Sequence, residues 1–394
     1  MGHESNPILI VGASTRAAAY SALRAGCRPI CCDRFADADL GAIARVLPCE
    51  DYPHGLPQSC RDAAACTWMY TGALENHPAI VDQLSTQRTL WGCGASTLER
   101  VRNPWKLAAA LERLDLPHLR VLPAGRLPVP DGNWMLKPVN SGGGRAICVW
   151  RESPGPRPGL EEPHYFQERR QGVPISGVYL ALPGQTWLLG QTRQLVGEAD
   201  VAAPEFAWCG TIAPCTAAND QLLEQLGDRL AMEFGLRGLF GIDFIVDETG
   251  AWPTELNPRY TAAVEIVEHL LRAPVFDWNR RACHLFSEPD RGELTRLAGE
   301  IAVAQSQRRQ TALGKLVLYA DCDLITGDLS QFLPKAAIPG FPECTDLPRQ
   351  GQRISRGEPV CTVFAATADE PSCRLELLCR AACVRRQYFG PAAC

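Results

Sequence analysis

The sequence predicts a mixed α/β and α+β chain, and three observations carry that reading. The N-terminus has a βαβ pattern, the middle is strand-rich with a glycine loop and a long hairpin, and the character of the chain changes near residue 300. The 394 residues suffice for two or three domains with a sizeable core. Residues 1–98 are expected to form a parallel α/β domain, residues 99–290 a central α+β region, and residues 291–394 a small C-terminal α+β domain.

Composition narrows the function. Apolar residues make up 46% and charged residues 21%, which are ordinary globular proportions. A net charge of −5 without a long basic run argues against a nucleic-acid partner, and no 18-residue apolar stretch is present to span a membrane. The opening MGHESNPILIVG lacks a basic segment followed by a long apolar one, so no secretory signal is expected and the cytoplasm is the expected location. Eighteen cysteines are scattered without a CxxC pair, which predicts reduced thiols filling core space rather than disulfides or a thiolate metal site. The seven histidines stand apart from one another and receive no ligand role.

PILIVG at residues 7–12 reads as a buried strand, residues 13–25 as a helix and CRPICCD at 27–33 as a second strand. Asp33 falls where a dinucleotide fold places its ribose-binding acid, but the GASTRA turn has one glycine where that fingerprint needs three. A nicotinamide oxidoreductase is therefore the weakest reading. VRNPWKLAAALERLDL, residues 101–116, has helical period, with Asn103 as N-cap and Pro104 in the first helical position. Lys106 in that first turn opposes the helix dipole, so it either answers an anion or is solvated.

NWMLKPV at residues 133–139 is a strand carrying Lys137, followed by Asn140, Ser141, Gly142, Gly143, Gly144 and Arg145, and then by a strand over 146–150. Such a loop can close its amides over phosphate oxygens, or it can be only a turn. Residues 152–163 read as a proline-rich connection, and 165–176 lead into a strand over 178–182. Arg193 and Gln194 lie inside the apolar run of residues 187–196, where a charge marks a strand end or a functional position. A helix is expected over 218–235 and another over 266–271. Strands over 314–320 and 359–365 and a helix within 366–383 complete the chain.

The most informative stretch is GLFGIDFIVDETGAWPTELNPRYTAAVE, residues 238–265. It reads as a hairpin turning at Asp247 to Gly250. If Asp247 faces Ala251, Asp243 faces Glu255 and Gly241 faces Asn257. Two opposed carboxylates at roughly 5 Å repel by about 3 kcal/mol at an effective dielectric near 20, so a counter-charge is expected unless the pair is solvated. Oxygen donors from Asp, Glu and Asn suit Mg²⁺.

Taken in order, the helix lysine, the strand lysine before a glycine loop, the arginine in an apolar run and the Asp…Glu-x-Asn-Pro-Arg hairpin resemble the ATP-grasp superfamily over about residues 1–290. The resemblance implies a Rossmann-like N-terminal domain and a two-subdomain ATP-grasp fold whose mobile subdomain spans about 121–183. It further implies ATP with Mg²⁺, or Mn²⁺, as cofactors. Lys106 and Lys137 then match the two phosphate-binding lysines, and Ser141 to Gly144 the phosphate loop. Gln167 and Glu168 fall at the adenine and ribose, and Asp243, Glu255 and Asn257 match the metal ligands. Arg259, Arg193 and Lys137 become the catalytic candidates. Pro174 lies near the position where many members carry a ribose-binding acid.

GVPIS, LLGQTRQLVG, AWCGTIAP and ELNPRYTAAVE are more similar to a carboligase-like group related to archaeal tyramine-glutamate ligase. The implied activity is an ADP-forming ligase that activates a small carboxylate as an acyl phosphate for capture by an amine. A homo-oligomer is compatible with this. The rivals are a bicarbonate-activating enzyme of the biotin-carboxylase type and a non-catalytic ATP-binding regulator.

Overall fold

A computed structural model describes residues 7–49, 51–61, 63, 66–152 and 163–389. Most of the proline-rich connection expected at 152–163 lies outside the described residues. In the N-terminal part, strands Pro7–Gly12, Arg28–Asp33, Arg45–Pro48 and Thr67–Tyr70 form a parallel sheet with Pro7–Gly12 between Arg28–Asp33 and Thr67–Tyr70. Ile8 to Val11 are fully enclosed, which explains an apolar run without alternation. The first helix, Arg16–Arg24, starts later than expected because Thr15 serves Asp33. The Asp33 carboxylate accepts from Thr15 N (2.6 Å), Thr15 Oγ1 (2.8 Å) and the amides of Phe35 and Ala36 (both 2.8 Å), so this acid braces its own turns.

The helix expected within 101–116 begins at Pro104 behind its Asn103 cap, as expected, and ends at Arg113. Ala95–Val101 and Pro104–Arg113 are separate helices, because the Asn103 side chain accepts from Trp105 N and Lys106 N and caps the second. A four-stranded antiparallel sheet follows, in the order Val121–Pro123, His164–Glu168, Asp131–Pro138, Cys148–Arg151.

The centre of the molecule is one eight-stranded antiparallel sheet. Its order is Gly250–Asn257, Gly238–Asp247, Val173–Leu182, Gln185–Val196, Trp208–Ala213, Ala312–Tyr319, Pro359–Thr367, Cys344–Thr345. The last three strands come from beyond residue 300 and continue the sheet of the central region. Helix Asp220–Phe234 is held to it by Leu223, Leu226, Leu230 and Phe234, all buried at helical spacing, and ends at Gly235 with φ +65°. The final helix, Glu370–Tyr388, begins where the Asp369 carboxylate accepts from Ser372 N at 2.8 Å.

The expected register is met by a different route. Asp247 pairs with Gly250, and not Ala251, while an irregularity between Asp243 and Phe244 inserts Thr254 and restores Asp243 opposite Glu255 and Gly241 opposite Asn257. Among the described residues the cysteines are mostly buried thiols, as expected, but Cys322 is disulfide-bonded.

Candidate active site

Directly paired residues of a sheet project to the same face, so register places the polar side chains. Glu255 pairs with Asp243, Asp243 with Ser176, and Ser176 with Thr192. Gln194, two residues after Thr192, pairs with Thr211, and Thr211 with Lys315. One face thus carries a polar row across six strands. It floors a cleft of about 1360 Å³, whose other walls come from the glycine loop, the strand bearing Lys137, and the loops after Gly12, Asp33 and Tyr70.

At the hairpin end, Asp243 accepts from Gln194 Nε2 at 2.7 Å and from Asn257 Nδ2 at 3.1 Å. Burial and the neighbouring Glu255 charge raise its pKa to about 6. Glu255 moves the other way. Burial favours its neutral form, but Arg102, then Lys137 and Arg259, outweigh that and hold its pKa below the ordinary carboxylate value. Lys137 Nζ donates to Gln167 Oε1 at 3.1 Å, and Gln167 Nε2 donates to Thr254 O at 3.2 Å. Glu168 is turned to Arg120, whose Nε lies 3.2 Å away.

Arg259 lines the cleft and is anchored by Glu75, fully buried in the N-terminal part, at 2.7 Å. Its Nε is buried without a hydrogen-bond partner among the described residues. The glycine loop is seated at both ends. A side chain at Gly144, which has φ +79°, would strike Phe206 O, and Trp208 N donates to Gly143 O at 3.1 Å. Ser141 O accepts from Arg102 Nη2 at 2.9 Å and from Asn76 Nδ2 at 3.2 Å.

The structure therefore brings together Lys137, Ser141, Gly142, Gly143, Gly144, Gln167, Glu168, Asp243, Glu255, Asn257 and Arg259 around one cleft. Lys106 is exposed and does not line it, and Arg193 pairs with Glu370 of the last helix on the opposite face. The acid pair is contacted instead by Arg102, which sequence reasoning passed over, and by Gln194, which it noted beside Arg193 without assigning a role. Arg102 binds Glu255 and, through Nε, Asn76 Oδ1 at 3.0 Å. The Asn103 cap held the available signal, since a helix starting at Pro104 leaves Arg102 in the connection before it.

Residues 101–263 match a family model described as the ATP-grasp domain. The chain carries an ATP-grasp domain. A comparison with curated proteins finds no match. Among solved structures, biotin carboxylase from Campylobacter jejuni has a TM-score of 0.67 at 13% identity, covering 95% of this chain and 90% of that one. The L-amino acid ligase from Bacillus licheniformis gives 0.68 at 14% identity over 97% and 98%. N5-carboxyaminoimidazole ribonucleotide synthetase from Thermus thermophilus gives 0.64 at 14% identity over 96% and 98%. At such identities the likeness is one of fold. It extends beyond the ATP-grasp domain to nearly the whole chain, while the narrower carboligase-like group rests on the sequence segments alone.

The donor set fits a hard cation. Asp243, Glu255 and Asn257 offer two carboxylates and an amide on one face, and among the described residues no group of three or more His, Cys, Asp or Glu is placed to hold a metal ion by itself. Two carboxylates with room for water and phosphate oxygens suit Mg²⁺ better than an all-protein cage would.

Proposed function

We propose that the protein is an ADP-forming ligase in which a carboxylate is activated by ATP as an acyl phosphate and then captured by an amine. The observation that carries this reading is the acid pair of the hairpin, Asp243 directly opposite Glu255, lining one cleft with Lys137 and Arg259. Mg²⁺ held by Asp243, Glu255 and Asn257 would supply charge neutralisation at the phosphate oxygens. Lys137, oriented by Gln167, offers a point charge, and the amides of Ser141 to Gly144 offer donors to phosphate. Arg259, fixed by Glu75, presents a planar cation suited to a phosphoryl group or an acyl phosphate. The contacts at Ser141 and Gly143 hold the loop at the wall of the cleft, where it would limit water around an acyl phosphate, a mixed anhydride.

ADP release from ATP and Mg²⁺, measured with pools of carboxylic acids and amines with and without bicarbonate, tests the reading. ADP that forms only when both an acid and an amine are present supports it. Bicarbonate dependence alone would select carboxylase chemistry, the rival favoured by the fold likeness to biotin carboxylase. ATP binding without ADP in every pool would select the regulator.

A further inference from the structure

Another part of the cleft is built from the N-terminal domain and the strands beyond residue 300, and its acids are all accounted for except one. Glu265, fully buried, is paired with Arg16 and with Lys315 Nζ at 2.9 Å. Asp346 accepts from Arg16 Nε at 2.9 Å and from Thr362 Oγ1 at 2.6 Å. Asp39 accepts from the amides of Asp346 (3.0 Å) and Leu347 (2.9 Å) and from Tyr20 Oη (3.4 Å), and Asp33 is saturated by Thr15, Phe35 and Ala36.

Asp37 is the exception. It is 8% exposed, lines the cleft, and makes no side-chain hydrogen bond among the described residues, not even to the helix Ala38–Ile43 whose N-cap position it occupies. The Arg34 guanidinium lies over the Phe35 ring at 5.5 Å, and both Arg16 and Lys315 are committed to Glu265. A buried, unpaired carboxylate opening onto a substrate cleft is costly unless a cation arrives.

We propose that Asp37 receives a substrate ammonium group in this part of the cleft. An anionic group does not fit beside Asp37, because Arg16 and Lys315 are already paired with Glu265 and Asp346. Burial, then Asp346, Asp39 and Asp33, push the Asp37 carboxyl well up in the free protein against the opposing charge of Arg16, and a bound ammonium ion offsets that cost. The ammonium belongs either to the activated acid, as in an amino acid, or to the accepting amine.

This inference rests on the ligase reading, and hydroxylamine separates the two. It is uncharged near pH 7 and captures acyl phosphates as hydroxamates, so it reports activation without needing an ammonium site. The full-length protein and its Asp37→Asn variant are given ATP, Mg²⁺, hydroxylamine and either amino acids or their deamino analogues. In a second arm methylamine, glycinamide and 1,4-diaminobutane replace hydroxylamine. If Asp37 holds the ammonium of the acid, the variant raises the KM for amino acids about tenfold to a hundredfold and leaves the deamino acids unchanged, as expected for loss of a charged hydrogen bond. If it holds the accepting amine, hydroxamate formation is unchanged and the KM for the cationic amines rises by that factor. Equal KM values in both arms overturn the proposal, as does equal loss of hydroxamate from deamino acids. Failure of the unaltered protein to form any hydroxamate removes the ligase reading and this proposal with it.

Discussion

Glu255 and Glu265 lie ten residues apart, both beside the cleft, and the fold treats them in opposite ways. Glu265 has no exposure and meets two cations, Arg16 and Lys315, which together overcome burial and hold its pKa low. Glu255 is about a third exposed, meets one arginine, and faces another acid. A saturated acid ties three parts of the chain together. One that keeps part of its side chain open to the cleft leaves room for a ligand. The comparison teaches that an enclosed acid with fixed partners belongs to the scaffold, whereas one open to the cleft belongs to the site.

The sharpest way to break it is to neutralise each acid in turn. Glu255→Gln is expected to lower ATP-dependent turnover by about a hundredfold to a thousandfold while the urea midpoint falls far less than in Glu265→Gln, the size of effect seen when charge stabilisation at a reacting centre is removed. Glu265→Gln leaves two buried cations sharing a neutral amide, and breaking a buried pair costs about 3–5 kcal/mol. Its urea midpoint should fall sharply, with the residual folded protein still binding nucleotide. Loss of turnover in Glu265→Gln without loss of stability would erase the distinction.

The pH dependence of the hairpin follows from the two opposite shifts. The folded pKa of Asp243, about 6, exceeds its ordinary 3.8, so the stability it contributes is fully present below about 3.8 and lost as pH rises through 6. Glu255, shifted below its ordinary 4.5, contributes stability above that value and loses it as pH falls further. In the proposed reading, binding of Mg²⁺ requires ionised Asp243. The rise in melting temperature caused by Mg²⁺ and ATP should therefore grow between pH 5 and pH 7, and Asp243→Asn should flatten that trend. A rise independent of pH in the unaltered protein would remove Asp243 from the ligand set.

How far the sequence reached follows from the reach of its rules. Alternation and turn residues located the hairpin and its facing acids, but the bulge at Thr254 depends on strand pairing, and two offsets happened to cancel. The helix was placed by its period, yet period says nothing of the connection before Asn103, so Lys106 was assigned where Arg102 faces Glu255. Arg102→Ala should raise the KM for Mg²⁺-ATP about tenfold, as for loss of a charged hydrogen bond, and Lys106→Ala should change it less than twofold. The reverse order would restore the lysine.

Arg193 carries the smallest expected effect and the clearest lesson about faces. Two-residue alternation says that Arg193 and Gln194 point to opposite sides, and only the register through Ser176 and Thr192 says which side is the cleft. Gln194 reaches Asp243, whereas Arg193 meets Glu370 with about a third of each side chain exposed. A pair so exposed contributes about 1 kcal/mol or less. Arg193→Ala should lower stability by no more than that and leave the kcat and KM for ATP unchanged, while Gln194→Ala, which frees one oxygen of Asp243, should weaken Mg²⁺-dependent nucleotide binding severalfold. A collapse of kcat in Arg193→Ala would mean that the last helix, through Glu370, reaches the chemistry on the other face of the sheet.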